Sequence, residues 1–291
     1  MYADLIGAAM NRAVDVRRVV LVILDGLRPD AIEAFGLTHI AALAARGAST
    51  QEGRTVVPSV TAAAMATLLT GQTPARHGVR SDRFHIPRRR GPLDPLPRVL
   101  ADAGYPTEVF VGTLPPLYGG LATRIAQYLG IGRTRCAGAN APEILTEATA
   151  ALTTRRRGLF VLHWPDADRA GHEHGWMSAA YGVGARMLDA ALGRLVALLE
   201  SDQAHTLLIA LADHGGGGVV ATDHESDHPA DRTIPILCEG CGLEPGDLVG
   251  PANLVDIPAT ILSALGVSIP ASYEGRSLLA PLAEDAALGA A

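Results

Sequence analysis

Carboxylate and imidazole side chains follow three short apolar runs of the sequence. The runs span residues 19–24, 159–162 and 207–211, and the side chains after them are Asp25, Asp168, His172, Asp213 and His214. Apolar runs without alternation are typical of strands buried on both faces of a parallel sheet, a fold that builds its sites at the carboxyl ends of its strands. The sequence therefore predicts that these groups meet at one sheet edge, where carboxylate and imidazole suit zinc or a similar divalent ion.

The sequence separation of these residues, and the glycines near them, also support a metal site. Asp168 and His172 are four residues apart with Gly171 between them, which predicts a tight backbone turn around an ion. His224 lies downstream of four consecutive glycines at 215–218, which indicate a hinge or a close approach of the backbone. A single strand-end aspartate could equally cap a helix or a turn. Acids at several strand ends favour a shared site instead.

A rival pattern overlaps the same region. Residues 224–228 read HESDH, which matches the H-E-x-x-H motif of zinc proteases, and that motif needs both histidines on one helical face. Pro229 directly after His228, with serine and aspartate before it, disfavours such a helix. We therefore expect His228 in a loop or behind a metal ligand.

Two further patterns have ordinary interpretations. Cys238 and Cys241 form a lone C-x-x-C, which leaves a redox role open but favours a pair of small residues at a strand end. His77 is interpreted as a loop histidine with satisfied hydrogen bonds and is not assigned to the site.

Strands and helices alternate around the ligand groups. Besides the three runs, strands are expected at 54–57, 107–111 and 233–237, and helices at 28–36, 40–45, 61–70, 97–103, 141–152, 179–200 and 255–265. This alternation predicts an α/β fold with a doubly wound, mostly parallel sheet sandwiched by helices. Without a repeat or a linker, residues 1–291 are expected to form one catalytic domain.

The composition restricts the function classes. With 48% hydrophobic residues over 291 positions and a mean hydropathy of +0.21, the chain is typical of an ordered globular protein. The net charge of -6 argues against a partner such as duplex nucleic acid. No apolar stretch approaches the roughly 18 residues of a membrane span, and no signal pattern opens the chain. Together with three cysteines that suggest no disulfide framework, these features predict a cytoplasmic protein without a membrane partner.

A series of short motifs occurs in an order known from one superfamily. The motifs are Val22–Gly26 (VILDG), Pro58–Thr61 (PSVT), Leu68–Gly71 (LLTG), Asp168–Gly175 (DRAGHEHG) and Ala212–Gly215 (ADHG), followed by His224 upstream of 231–235 and by 256–260 before 274–279. Their joint order resembles the alkaline phosphatase superfamily, and within it the type I phosphodiesterase and nucleotide pyrophosphatase branch. The resemblance runs from about residue 19 to 280 and implies an alkaline phosphatase-like fold with a minimal cap.

The resemblance implies a site with two divalent metal ions, zinc being favoured and manganese an alternative. One ion would be held by Asp168, His172 and His224, and the other by Asp25, Asp213, His214 and the hydroxyl of Thr61. The branch uses this threonine as its nucleophile, so the implied reaction is a double displacement through a phosphothreonine intermediate on a small phosphate ester or nucleotide.

One departure from the branch bears on specificity. Relatives often carry Pro-Asn-His shortly after the nucleophile, whereas this chain has Ala63–Met65 and lacks the asparagine donor. Backbone N–H groups near Ala62, or an arginine from the segment 82–85, are expected to compensate. The first hypothesis is a phosphodiesterase or nucleotide pyrophosphatase-like hydrolase. The alternatives are a phosphomonoesterase or phosphonate hydrolase on the same scaffold, and a non-catalytic metal-binding relative.

Overall fold

A single mixed sheet organises the molecule. The computed structural model describes residues 15–83, 87–113, 116–248 and 250–279. Within these ranges the strands are β1 Arg18–Leu24, β2 Ala48–Arg54, β3 Thr107–Val111, β4 Arg133–Cys136, β5 Gly158–Trp164, β6 Thr206–Leu211 and β7 Thr233–Glu239. The order is β2-β7-β6-β1-β5-β3-β4, with β7 antiparallel to both of its neighbours and the other pairings parallel. The predicted α/β fold with a mostly parallel sheet is confirmed.

Helices flank this sheet. They are α1 Asp30–Ala34, α2 Thr38–Arg46, α3 Thr61–Thr70, α4 Pro74–His77, α5 Leu96–Asp102, α6 Pro116–Leu129, α7 Ala141–Thr154, α8 Asp166–His174, α9 Ala179–Leu199, α10 Pro229–Arg232 and α11 Asp256–Ala264. The apolar stripe predicted for the longest helix is buried along α9. Among the described helices, none has both the length and the apolarity needed to cross a membrane.

The central strand β1 forms the middle of the core. All seven of its residues are buried, and it pairs in parallel with β5 on one side and β6 on the other. Burial of each aliphatic side chain along such a strand stabilises the fold by about 1.5–3 kcal/mol. The register places Ile23 beside both His163 and Leu211. The segments that follow these strands therefore emerge side by side.

One predicted strand has the wrong bounds, and one strand of the sheet was not predicted. Strand β2 ends at Arg54, whereas the sequence suggested a strand over 54–57. Thr55 has left the sheet, because its N–H donates to the Arg232 carbonyl and its hydroxyl donates to the Asp213 carbonyl. The edge strand β4 was not anticipated, since its four residues are polar or small and all exposed.

The tight turn expected between Asp168 and His172 is also wrong. Both residues lie inside helix α8, where a spacing of four residues places two side chains on one face. Gly171 serves packing instead, because a Cβ atom at this position would lie 2.6 Å from Cδ2 of Trp176. The helix rather than a turn therefore presents this acid and histidine together.

Candidate functional site

Three adjacent strands direct acids to one edge of the sheet. Asp25 follows β1, Asp213 follows β6, and Asp168 lies in the first turn of α8 directly after β5. The Asp168 N–H donates to the Asp25 carbonyl over 3.0 Å. Gly26, with φ +69, allows this contact, since a Cβ there would lie 2.8 Å from Cα of Asp168. This backbone hydrogen bond thus fixes the position of Asp168 relative to Asp25.

The predicted ligand residues form two compact groups. Asp168, His172 and His224 offer ligand atoms that all lie within 4.8 Å of one another, and so do Asp25, Asp213 and His214. The two groups are neighbours: Nε2 of His214 lies 3.4 Å from Oδ1 of Asp25 and 3.9 Å from Oδ1 of Asp168. The rings of His214 and His224 are stacked, with centroids 3.7 Å apart. Each group could hold one divalent ion.

The carboxylates leave oxygen atoms that lack a hydrogen-bond donor. Oδ1 of Asp213 accepts from the backbone N–H groups of Gly26 and His214, but its Oδ2 has no partner. Oδ1 of Asp25 and Oδ1 of Asp168 are likewise buried without a hydrogen-bond partner. Unsatisfied buried carboxylate oxygens cost free energy unless a cation or a donor reaches them. Three of them directed at one region fit divalent cations.

The histidine rings have a common orientation. Nδ1 of His214 donates to the Gly215 carbonyl, that of His224 to the Ser59 carbonyl and that of His172 to the Thr222 carbonyl. A histidine whose Nδ1 carries the donated proton presents the lone pair of Nε2, which is the usual arrangement of metal-binding imidazoles. Backbone carbonyls therefore prepare all three rings for binding through Nε2.

Burial and crowding of charge shift the protonation of this site. The pKa of Asp25 lies well above its ordinary value because burial disfavours the carboxylate, and because the nearby charges of Asp213 and Asp168 repel it. Burial also lowers the pKa of His224. Bound cations would reverse the penalty on the acid, since opposite charge favours the ionised carboxylate. Without a cation, the cluster therefore favours the protonated form of the Asp25 carboxyl more than water does.

Thr61 lies beside the second ligand group. It is the first residue of α3 and is half-buried, and its Oγ1 lies 3.1 Å from Nε2 of His214. Because Nδ1 of His214 carries the proton, the Thr61 hydroxyl donates to Nε2. The start of a helix also presents unpaired N–H groups and a positive dipole end toward an anion.

The backbone donor expected to replace the missing asparagine is already engaged. The Ala62 N–H donates to Oδ1 of Asp82 over 2.7 Å. The side chains of Ala63 and Ala64 are fully buried and offer no donor. Arg83 is exposed, and residues 84 and 85 of the expected compensating segment lie outside the described residues. Asp82 is thus a group near the nucleophile that sequence reasoning did not single out.

His163 and Trp176 are two further neighbours that the sequence did not reveal. Nε2 of His163 lies 3.0 Å from Oδ2 of Asp25, without the alignment of a hydrogen bond. The only sequence feature that could have pointed to His163 is its polarity within an otherwise apolar strand. The ring of Trp176 packs edge-on against His172, at 5.1 Å between centroids, and its Nε1 donates to the Gly26 carbonyl. Trp176 thus contacts one ligand group while bonding to the residue after Asp25.

His228, the two nearby cysteines and His77 lie outside the two ligand groups. Residues 224–228 are not helical, and His228 caps α10 by accepting from the Ala230 N–H, as expected against the protease motif. Cys238 and Cys241 are buried free thiols, and burial raises the pKa of each to about 12. Thiols so far from ionisation are inert in exchange chemistry, which opposes a redox role. His77 is buried and bonded to Thr67, so its hydrogen bonding is satisfied as expected, but it is the last residue of helix α4 and does not lie in a loop.

Comparison with known proteins identifies the family. Residues 19–95 and 132–231 match the type I phosphodiesterase / nucleotide pyrophosphatase family, which covers more than half of the chain. A 2,3-bisphosphoglycerate-independent phosphoglycerate mutase of Synechococcus sp. (strain JA-2-3B'a(2-13)) is 30% identical over 154 residues. The match covers 49% of this chain and 28% of the mutase, so the chain spans little more than a quarter of that relative's length.

Solved structures share the fold at low sequence identity. A 2-O GAG sulfatase superposes with a TM-score of 0.71 at 16% identity, over 91% of this chain and 73% of the sulfatase. An inactive threonine-to-alanine variant of murine ectonucleotide pyrophosphatase / phosphodiesterase 5, in complex with AMP, superposes with a TM-score of 0.66 at 13% identity, over 88% of this chain and 96% of that chain. With the motifs and the sheet order, these findings show that the chain belongs to the type I phosphodiesterase / nucleotide pyrophosphatase family of the alkaline phosphatase superfamily.

Proposed function

We propose that this protein is a metal-dependent phosphodiesterase or nucleotide pyrophosphatase-like hydrolase in which Thr61 accepts the phosphoryl group. The observation that carries this proposal is the contact between Oγ1 of Thr61 and Nε2 of His214. It places a half-exposed hydroxyl at a helix start, directly beside a group of potential ligands. The expected substrates are small phosphate diesters or nucleotides. A net charge of -6 disfavours duplex nucleic acid as substrate.

The donor chemistry supports two divalent ions. Asp168, His172 and His224 would hold one, and Asp25, Asp213 and His214 the other, with the Thr61 hydroxyl completing the second group. Mixed carboxylate and imidazole ligands favour zinc, with manganese as the alternative. When bound, such ions supply Lewis-acid stabilisation of the attacking and the leaving oxygen.

Residues of the chain itself position the Thr61 hydroxyl and the phosphoryl group. Without an ion, the Thr61 hydroxyl donates to the lone pair of Nε2 of His214, a contact that holds Oγ1 beside the second ligand group. When that group holds an ion, the lone pair serves as a ligand, and the hydroxyl then releases its proton to water. Oγ1 forms a bond to phosphorus while the bond to the leaving oxygen breaks, which gives phosphothreonine. Water then attacks the same phosphorus and releases Thr61. Throughout, the N-terminal end of α3 favours the negative charge of the phosphoryl group.

Substitution of the nucleophile tests this function. We expect Thr61→Ala to lower kcat/KM for bis(p-nitrophenyl) phosphate by about 1,000-fold or more, the scale seen when a nucleophile is removed. Two ions per chain should remain bound, because six other side chains supply ligands. Thr153→Ala is the matched control, since Thr153 is exposed on α7. Mass spectrometry of acid-quenched protein should find phosphate on the peptide that contains Thr61. Unchanged turnover by Thr61→Ala would overturn the proposal.

The same ligand groups and Thr61 could also support two alternative activities. A phosphomonoesterase or phosphonate hydrolase would prefer p-nitrophenyl phosphate or a phosphonate ester over the diester in the same panel. The identity with a mutase favours examining phosphoryl transfer to an alcohol instead of water. Adding glycerol and analysing the products for glycerol phosphate measures that transfer. A chain that binds two ions but turns over none of these compounds would be a non-catalytic relative.

A reducing, cytoplasmic location is part of the proposal. It is supported by the cysteines, since Cys136, Cys238 and Cys241 are all free, and free thiols are typical of proteins in reducing compartments. Fractionation of cells that express the full protein, with detection in each fraction, would test this location.

A further inference from the structure

A carboxylate occupies the backbone donor next to the nucleophile. The Ala62 N–H donates to Oδ1 of Asp82 over 2.7 Å, although the two residues are twenty positions apart. Ala62 belongs to the first turn of α3, where N–H groups have no partner within the helix. A phosphoryl group bonded to Oγ1 of Thr61 lies within reach of the N–H of the following residue. Asp82 therefore occupies a position suited to an oxygen of the substrate.

Within the described residues, the Asp82 carboxylate has no cationic partner. Asp82 is exposed, and among the described arginine and histidine side chains none lies within ion-pairing distance of its carboxylate. The negative field of Asp82 thus acts on any anion that approaches Thr61.

The number of charges on the substrate determines how strongly this field acts. A phosphate monoester carries about -1.5 to -2 charges at neutral pH, whereas a diester carries one. Coulomb repulsion scales with the product of the charges, so a fixed carboxylate penalises the monoester about twice as much. The missing asparagine after Thr61 increases this difference between monoester and diester. A buried alanine replaces the neutral side-chain donor, and the Asp82 carboxylate accepts from the Ala62 N–H that could otherwise donate to the substrate.

We propose that Asp82 is a specificity-determining residue that disfavours phosphate monoesters and inorganic phosphate relative to diesters at the Thr61 site. This inference deepens the proposed function and rests on it. The Asp82 side chain competes with the incoming anion for the Ala62 N–H. A diester, with a single charge, displaces it at a smaller electrostatic cost than a monoester does.

Charge-removing variants at Asp82 test the inference. Asp82→Asn keeps an oxygen that can accept from Ala62, and Asp82→Ala removes the side chain. Asp102→Asn, at the exposed end of α5, removes a carboxylate elsewhere on the surface. For each variant kcat/KM is measured with p-nitrophenyl phosphate and with bis(p-nitrophenyl) phosphate, at low and high salt. Inhibition by inorganic phosphate is measured in parallel.

Both Asp82 variants should increase kcat/KM for the monoester by about tenfold, a change that corresponds to 1.4 kcal/mol, and should change the diester value less than threefold. Inorganic phosphate should inhibit both variants more tightly, and added salt should reduce the difference, because salt screens exposed charges. Asp102→Asn should match the unmodified protein. An unchanged ratio of diester to monoester rates in both variants would overturn the inference.

A background without the nucleophile separates this inference from the proposed function. In Thr61→Ala the Ala62 N–H is retained, so adding Asp82→Ala should still tighten the binding of inorganic phosphate measured by calorimetry. If phosphate binding tightens while Thr61→Ala alone stays active, the proposed nucleophile is wrong but the role of Asp82 stands. If Thr61→Ala is inactive and neither Asp82 variant alters phosphate binding, the role of Asp82 is wrong and the nucleophile stands.

Discussion

Nε2 of His172 and Nε2 of His224 lie 3.1 Å apart, while the Nδ1 of each ring donates to a backbone carbonyl. Two neutral imidazoles in this state direct lone pairs at each other, which is unfavourable unless a proton or a cation lies between them. Oδ1 of Asp168, which has no hydrogen-bond partner, lies 3.4 Å from Nε2 of His172. This arrangement of lone pairs fits a site for a divalent cation.

Removal of one imidazole from this group should remove one ion. We expect the unmodified protein to bind two zinc or manganese ions per chain and His172→Ala to bind one, because only Asp168 and His224 would remain in its group. The matched control is His174→Ala, two residues along the same helix, whose side chain is half-exposed and contacts Glu173. Elemental analysis after gel filtration counts the ions. Equal metal content in His172→Ala and His174→Ala would contradict the assignment.

Trp176 should increase the affinity for metal, because it packs against His172 and bonds to the residue that follows Asp25. Trp176→Phe keeps an aromatic ring beside His172 but removes the N–H that bonds to the Gly26 carbonyl. Groups that orient metal ligands typically change affinity or activity by about 10–100-fold when replaced. We therefore expect weaker metal binding by about tenfold, measured by competition with a chelating dye, with the far-UV circular dichroism spectrum unchanged.

Removing the second hydrogen bond to the Gly26 carbonyl provides an independent check of this role. The Tyr181 hydroxyl donates to the same Gly26 carbonyl, so Tyr181→Phe should weaken metal binding in the same direction. If Trp176→Phe lost thermal stability but kept its metal affinity, Trp176 would be a packing residue alone.

Glycine in the segment after His214 should be required for packing. A Cβ at Gly216 would lie 2.1 Å from Cε2 of Trp176, so Gly216→Ala must displace the indole. Overpacking of this kind costs about 1–3 kcal/mol. Gly120→Ala is the opposite case, since Gly120 lies in helix α6 with nothing within 4 Å of the added atom, and there alanine should stabilise by about 0.5–1 kcal/mol. Urea unfolding should show a lower free energy of unfolding for Gly216→Ala and a higher one for Gly120→Ala than for the unmodified protein.

His77 should make the metal-free protein less stable as the pH falls. Desolvation lowers its pKa from 6.5 to about 4, so between these values the unfolded chain binds a proton that the folded chain does not. The free energy of unfolding should therefore decrease from pH 6.5 toward pH 4, by up to about 1.4 kcal/mol per pH unit. Below about pH 4 this contribution should level off.

His77→Gln isolates this contribution. Glutamine can still donate to Oγ1 of Thr67, the partner of Nε2 in the unmodified protein, but it does not titrate. Urea unfolding of both proteins in chelator, over the same pH series, should show a shallower dependence for His77→Gln. Parallel profiles would show that His77 does not set the acid sensitivity.

Sequence reasoning predicted the fold where side-chain type and local pattern carry the information, and it named acids and histidines that the structure brings together in two groups. The runs before Asp25 and Asp213 are buried strands because continuous apolar residues are compatible with burial on both faces. It failed for β4, whose polar residues lack such a pattern. It also failed at Gly171, where glycine suggested a turn although the helix needs a small residue beneath Trp176.

The sequence by itself determined which chemical groups are available and that buried strands would present them at one edge, because strand burial and ligand type are local properties of residues. Only the tertiary structure decided which carbonyl orients each histidine, that His163 faces Asp25, and that Asp82 engages the amide beside Thr61. Apart from the contact between His214 and the adjacent Gly215, these contacts join residues 20 to 165 positions apart. Their formation depends on how loops and helices pack around the finished sheet, which no local pattern encodes.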